Sequence, residues 1–416
     1  MFFIYNILIN ILILISPIII LIRVINNKED KIRFKEKFCF FSKKRTKGNL
    51  IWFHGASVGE IISIIPLIEK LEEEKNIDKI LITSTTLSSS KVLSKYKFKK
   101  TVHQFFPIDS NFLVKKFLNY WSPSISIFID SEIWPNMITN IKKRSIPLVL
   151  LNARITKKSY NRWMKINLFS KNLFGSFDIC FSQNSETSSY LKNLGAKKIK
   201  FIGNLKFAES KYKENSAFNN NYKKIFKSRK IWCAASTHNS EEKICASKHI
   251  KLKKKYKNLL TIIIPRHIQR TNNIISEIEN LKLNVQCKSK SKKIKKNTDI
   301  FIVDAYGESE NFYKICNVVF LGGSIVKHGG QNPLEAARLG CHIIHGPNIE
   351  NFTEVYKLLE KKNISFKFNN IQQFGHLIEK SFKRKNKINN KTNKLRKMGS
   401  NILYKTFNEI KSIYKK

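Results

Sequence analysis

The feature that most narrows what this chain can fold into is an alternation of short apolar runs with longer helical stretches, played through twice. Residues 50–53, 80–83, 125–129 and 148–151 are short, predominantly apolar runs bounded by Gly, Ser, Asn or Pro, as expected of buried strands. Between them, 60–74 and 112–121 read as helices. Such βα repetition implies a parallel sheet with right-handed crossovers. A polar, charged, Asn-rich stretch at 208–230 interrupts the pattern, which restarts at 231–235, 260–264, 300–303, 318–321 and 342–345. The expected fold class is therefore α/β, with two doubly wound, Rossmann-like domains at 49–207 and 231–395 and a helix at 396–416. Two such domains in series are expected to leave a cleft facing the carboxyl ends of their strands, where ligands bind in such sheets.

Before the first strand, residues 1–22 carry no charged side chain. As a helix at ~1.5 Å per residue they would reach about 33 Å, enough for a bilayer core. Asn6, Asn10 and Pro17 weaken the run, so a deeply inserted or kinked anchor is the alternative to a full span. No Lys or Arg precedes it and no small-residue cleavage site follows it, which argues against a secretory signal. The segment 23–48 is basic, with Arg23, Lys28, Lys31, Arg33, Lys35 and Lys37 close behind the apolar run. The positive-inside rule then places the remainder of the chain in the cytoplasm.

Charge narrows the partners less than its size suggests. The 416 residues include 77 Lys+Arg and 30 Asp+Glu, a formal net charge of +47. With 42% hydrophobic residues and 30 Phe the chain is no disordered polycation. An anionic partner is implied: nucleic acid, anionic membrane or a phosphorylated substrate. The excess is mostly Lys, in runs such as 253–255 and 290–296, without the Arg and interleaved aromatics of a nucleic-acid surface. Compositional drift over solvated surface accounts for most of it, and no nucleic-acid partner is expected. Cys39, Cys180, Cys233, Cys245, Cys287, Cys316 and Cys341 form an odd, scattered set without a CxxC pair, which fits a reducing compartment.

Chemistry concentrates at the ends of the strands. In IWFHGASVGE (51–60) a strand runs through a turn of small residues into a helix starting near Glu60. Amides at that start would keep the carboxylate ionised, and an ionised carboxylate at a cleft mouth suits a general base. A first-turn acid also complements the helix dipole, so both roles stand for Glu60. FIDSEIWPN (128–136) places Asp130 and Glu132 after a strand, and alternation would send both to one side. Asn152 and Arg154 in LLNARIT, and Asn204 and Lys206 in FIGNLKF, lie beyond two further strands, where cations could hold phosphate or carboxylate. In the second half, AASTHNSEE (234–242) and IIIPRHIQR (262–270) follow strands, the latter placing Pro265, Arg266 and His267 at a strand end. The run 321–340 supplies a Gly-rich turn, a second Gly pair, Asn332 as N-cap, Pro333 at the first helical position and Glu335 in the first turn. Free amides at such a start bind phosphate, and an acid there accepts a sugar hydroxyl. Neither a Walker A motif nor GxGxxG is present, and the histidines lack metal-ligand spacing, so no metal is expected.

Taken in order, the blocks HGASVGE, DSEIWPN, LNARIT, GNLKF, ASTHNSEE, PRHIQR, YGE, GGSIVKHGGQNPLEAA and GPNIENF resemble the 3-deoxy-D-manno-octulosonic acid (Kdo) transferases of lipopolysaccharide assembly. The resemblance implies a GT-B glycosyltransferase with an acceptor-binding first domain and a CMP-sugar-binding second domain. It implies transfer of Kdo from CMP-Kdo, with inversion, to a tetraacylated, bisphosphorylated lipid A precursor at the inner membrane, the enzyme contacting inner-membrane lipids from the cytoplasmic side. By the same resemblance the base is Glu60 and the stabilisers are Asp130 and Lys206. The CMP contacts it implies are Pro265, Arg266, Tyr306, Gly307, Glu308, Asn332, Pro333, Leu334 and Glu335, with no cofactor. The chain departs from the family in reading Asp130-Ser131-Glu132 where Glu-Thr-Glu is usual, so Glu132 shares the candidacy of Asp130. Two alternatives follow from the residues: another GT-B transferase using a UDP-sugar, and a membrane-tethered nucleic-acid-binding protein.

Overall fold

A computed structural model describes all residues except 212–221, 223–224, 227, 292, 385–388 and 415–416. Much of the expected linker at 208–230 therefore lies outside the described residues. The chain divides into two compact units, the first Met1–Tyr212 with Met398–Lys416, the second Lys213–Lys397.

The first unit is built on strands β1 (Leu50–His54), β2 (Lys79–Ser84), β3 (Thr101–Phe105), β4 (Ile125–Ile129), β5 (Leu148–Ala153), β6 (Ile179–Ser182) and β7 (Ile199–Phe201). They form one sheet in the order β3-β2-β1-β4-β5-β6-β7, with every described pairing parallel. Every residue of β1, β4 and β5 is buried, because helices cover both faces of a parallel sheet. The chain enters at β1, builds out to β3, then crosses back to add β4 on the other side of β1. That reversal opens a crevice between the carboxyl ends of β1 and β4.

The second unit repeats the plan with β8 (Lys230–Thr237), β9 (Leu259–Pro265), β10 (Val285–Cys287), β11 (Ile300–Ile302), β12 (Val318–Leu321), β13 (His342–His345) and β14 (Ser365–Lys367). Its order is β10-β11-β9-β8-β12-β13-β14, so the reversal falls between β8 and β12. Core strands read from the sequence are all present. The strands missed, β3, β6, β10 and β14, are short or carry polar residues in the sheet. In β3, Gln104 is fully buried, and its Oε1 accepts the Trp121 indole N–H at 3.1 Å.

The apolar N-terminal run forms one helix, Phe2–Ile25, containing Pro17. At ~1.5 Å per residue it is about 36 Å long. One stripe packs on the first unit: the Phe2 ring meets Phe169 at 6.3 Å, the Tyr5 hydroxyl donates to Asp109 Oδ2 at 2.7 Å, and Ser16 and Ile20 are buried. The remainder, including Phe3, Ile4, Leu8, Leu14, Ile18 and Leu21, is exposed apolar surface. At the other end of the chain, the helix Asn389–Tyr414 returns to the first unit, where Lys411 pairs with Glu74 at 2.7 Å and Glu409 with Lys200 at 2.6 Å.

Candidate active site

In the first unit the site forms at the β1/β4 crevice. Helix Val58–Glu72 begins directly after β1, with Ser57 as N-cap and Glu60 at the third position of a capping box. Glu60 Oε2 accepts the Ala56 N–H at 2.7 Å and Oε1 accepts the Ser57 hydroxyl at 2.7 Å. Gly55 makes this tight entry possible, since a Cβ there would crowd Ile129 Cδ1 at 3.1 Å and Glu60 Cβ at 3.2 Å. The sequence expectation that the helix start would hold Glu60 ionised needs correction. Burial, with Glu132 and Asp130 as neighbouring carboxylates, outweighs the hydrogen bonds from Ser57 and Ala56 and pushes Glu60 up to about 7. A cap that merely complemented the dipole would be shifted the other way.

Asp130 and Glu132 reach the crevice by a route the alternation argument did not foresee. β4 ends at Ile129, and Asp130 turns into the left-handed region at φ 55°, so strand periodicity no longer sets directions. Asp130 is 7% exposed; its Oδ1 accepts Asn152 Nδ2–H at 2.6 Å and its Oδ2 lies 3.5 Å from Lys206 Nζ. Asn152, itself at φ 54°, also accepts the Leu205 N–H at 2.9 Å, so one amide aligns the ends of β4 and the loop after β7. Glu132 has other partners at the same crevice: its Oε2 accepts the Trp134 indole N–H at 2.8 Å and lies 3.3 Å from His54 Nε2. The Asp109 carboxylate accepts the N–H groups of Asn136 and Met137 at 2.9 and 2.8 Å, fixing the turn that carries Glu132. Asp130 is thus the carboxylate beside the lysine. His54 and Asp109 were missed in the sequence, where the only signal was a polar residue closing an apolar run.

In the second unit the polar residues gather at the carboxyl ends of β9, β8 and β12. Pro265 is buried and ends β9; Arg266 follows it, exposed, with its N–H bonded to Thr237 O at 3.0 Å. His238 sits beside it, its ring 4.0 Å from that of His328 and 5.8 Å from that of His267. Burial, then His328, His267, Arg266 and Arg270, lower His238 to about 4, leaving it neutral. Arg270 holds the buried Glu242 through two N–H···O contacts of 3.0 and 3.2 Å. Beyond β11, Tyr306 is 59% exposed, Gly307 takes φ 81°, and Glu308 pairs with Lys288. Among the described residues no group of three or more His, Cys, Asp and Glu could hold a metal ion.

The run after β12 departs from its sequence reading at the helix start. Pro333, rather than Asn332, is the N-cap of the helix Leu334–Arg338, because the Pro333 carbonyl accepts the first intrahelical bond, from Ala337 N–H at 2.9 Å. Asn332 instead accepts the Leu334 N–H at 3.1 Å, and both Asn332 and Glu335 are exposed. The Gly-rich turn, moreover, offers no open amide cradle at 323–325, since the Glu241 carboxylate already takes those three N–H groups.

Two Rossmann-like units with polar crevices at both reversal points have the architecture of the GT-B fold. A family model described as glycosyl transferases group 1 matches residues 228–401, and a glycosyltransferase from Rickettsia africae superposes with a TM-score of 0.54 over 88% of this chain and 99% of its own, at 13% identity. The model of the 3-deoxy-D-manno-octulosonic-acid transferases (kdotransferases) matches residues 32–209. The 3-deoxy-D-manno-octulosonic acid transferase of Rickettsia bellii is 33% identical over 87% of this chain and 86% of its own. That of Haemophilus influenzae is 32% identical over 74% of this chain and 73% of its own. The chain belongs to this family and is a Kdo transferase.

Proposed function

We propose that the enzyme transfers Kdo from CMP-Kdo to a hydroxyl of a phosphorylated lipid A precursor, by a single displacement with inversion. Glu60 removes the acceptor hydroxyl's proton, and a base whose pKa lies near 7 is matched to that task at neutral pH. Lys206, held beside Asp130, stabilises the charge that develops as the phosphate departs. Because CMP is already a leaving group, the reaction requires a base and charge stabilisation, and we assign no metal or cofactor to it. What carries this reading is the gathering of Glu60, Asp130 and Lys206 at one crevice, with the Glu60 carboxyl raised rather than lowered.

The second unit is assigned to the donor. Exposed Arg266 suits the nucleotide phosphate and the exposed acid Glu335 a sugar hydroxyl, while Pro265, Tyr306, Gly307, Glu308, Asn332, Pro333 and Leu334 are assigned to the remainder of the CMP site. Calorimetry with CMP and with UDP tests this. Binding of CMP with little affinity for UDP is expected; a preference for UDP would favour a different GT-B donor. Arg266→Ala is expected to weaken CMP binding by about tenfold, the worth of one charge-assisted contact. Unchanged affinity would remove Arg266 from the nucleotide site.

We place the enzyme at the cytoplasmic face of the inner membrane, held by the helix Phe2–Ile25 and the basic residues behind it. Removing residues 1–25 is expected to shift the protein from the membrane to the soluble fraction. Retention in the membrane at high salt would overturn the anchor.

A further inference from the structure

The buried carboxylate of Glu241 has no part in the reaction proposed above, yet it accepts four backbone N–H groups. It opens the helix Glu241–Lys253 after β8 and is 0% exposed. Its Oε2 accepts the N–H groups of His238 at 2.9 Å and Gly323 at 2.7 Å; its Oε1 accepts those of Ser324 at 3.2 Å and Ile325 at 3.0 Å. One side chain thus joins the turn after β8 to the turn after β12, across the reversal point. The approach is tight: a Cβ on Gly322 would lie 2.7 Å from Glu241 Oε2 and 2.5 Å from Ser236 O.

The joined loop bears on His238 from both of its ends. A Cβ on Gly323 would lie 3.1 Å from His238 Cδ2, and Gln331 Nε2 stands 3.2 Å from His238 Nε2. We infer that Glu241 is a positioning residue of the donor site, fixing the 322–331 loop against His238 so that the residues following it are presented to the nucleotide sugar. This rests on the assignment of the second unit to the donor. It also explains why the Gly-rich turn is not itself an anion cradle: its amides at 323–325 are already taken from within by a protein side chain.

Glu241→Gln tests the inference with little change of shape. The amide keeps one oxygen for two of the N–H groups but turns its own N–H2 toward the other two, leaving them unpaired in a buried place. In the full-length enzyme, the amides of 323–325 are expected to exchange hydrogen faster, and the Kd for CMP to rise by about tenfold or more, with acceptor KM unchanged. Unaltered exchange at 323–325 with a CMP Kd within about twofold of the parent would overturn it. Should Glu241→Gln fail to fold, Gln331→Ala loosens the same loop from its other end. A weakening of CMP binding by about fivefold would then support the inference, and parental affinity would overturn it. If the parent itself does not bind CMP, the donor assignment falls, while the exchange comparison still decides whether Glu241 holds the loop.

Discussion

Glu60→Gln is expected to lower Kdo transfer by about 10³-fold or more while CMP binding stays at the parental level, since a positioned base contributes about 10²–10⁴-fold. Glutamine preserves the local bonding: its oxygen can accept the Ala56 N–H and its amide can donate to the Ser57 hydroxyl. Helix capping therefore survives and basicity alone is lost. In the parent, kcat/KM is expected to fall about tenfold per pH unit below about 7, where Glu60 takes up a proton, and to level off above. The same shift makes a stability prediction of the opposite sign. With the folded pKa raised from 4.5 to about 7, the native state holds a proton that the unfolded chain has released, so stability falls as pH rises through that window. Above pH 7 the glutamine variant should accordingly melt no lower than the parent, and above it if burial dominates. A variant that retained substantial turnover would reduce Glu60 to its capping box.

Lys206→Ala is the second large effect, an expected loss of about 10²–10³ in kcat, the scale seen when one preorganised charge stabiliser is removed. CMP affinity should change by less than about threefold, because the stabilisation is drawn on only as charge develops. Lys206→Arg is expected to recover only part of the loss. Guanidinium keeps the charge but spreads it over a planar fork that the 3.5 Å Nζ–Asp130 geometry was not built to receive. Turnover of the alanine variant close to the parent's would show that Lys206 serves only as the partner of Asp130.

How much of this was legible in advance depends on how local the cause was. The Ser57–Glu60 capping box and the burial of β1, β4 and β5 follow from neighbours in the chain, and the sequence carries them openly. The run from Asp130 to Asn136 shows where such reading stops. Alternation sends Asp130 and Glu132 together, and both do bear on Glu60, but a left-handed turn at Asp130 gives them different partners, Lys206 for one and His54 and Trp134 for the other. Asp tolerates that turn, and Glu132 N–H closes it on Ile129 O at 3.2 Å, but the fold holds it from farther away as well. Its backbone is fixed by Leu151 and Arg154, through Asp130 N–H to Leu151 O at 3.0 Å and Arg154 N–H to Asp130 O at 3.1 Å.

The twofold alternation that opened the sequence reading thus determined the class of fold by itself. Periodicity is set by which side chains must leave water, and each strand or helix records that in its own residues. The charge on Glu60, the partner of Asp130 and the clasp of Glu241 were decided only by tertiary structure. Each depends on desolvation or on a bond between residues far apart in the chain: Asp130 with Lys206 at a separation of 76, Glu241 with Gly323 at 82. A carboxylate's chemistry is set by what the fold brings to it, and the chain alone does not display that.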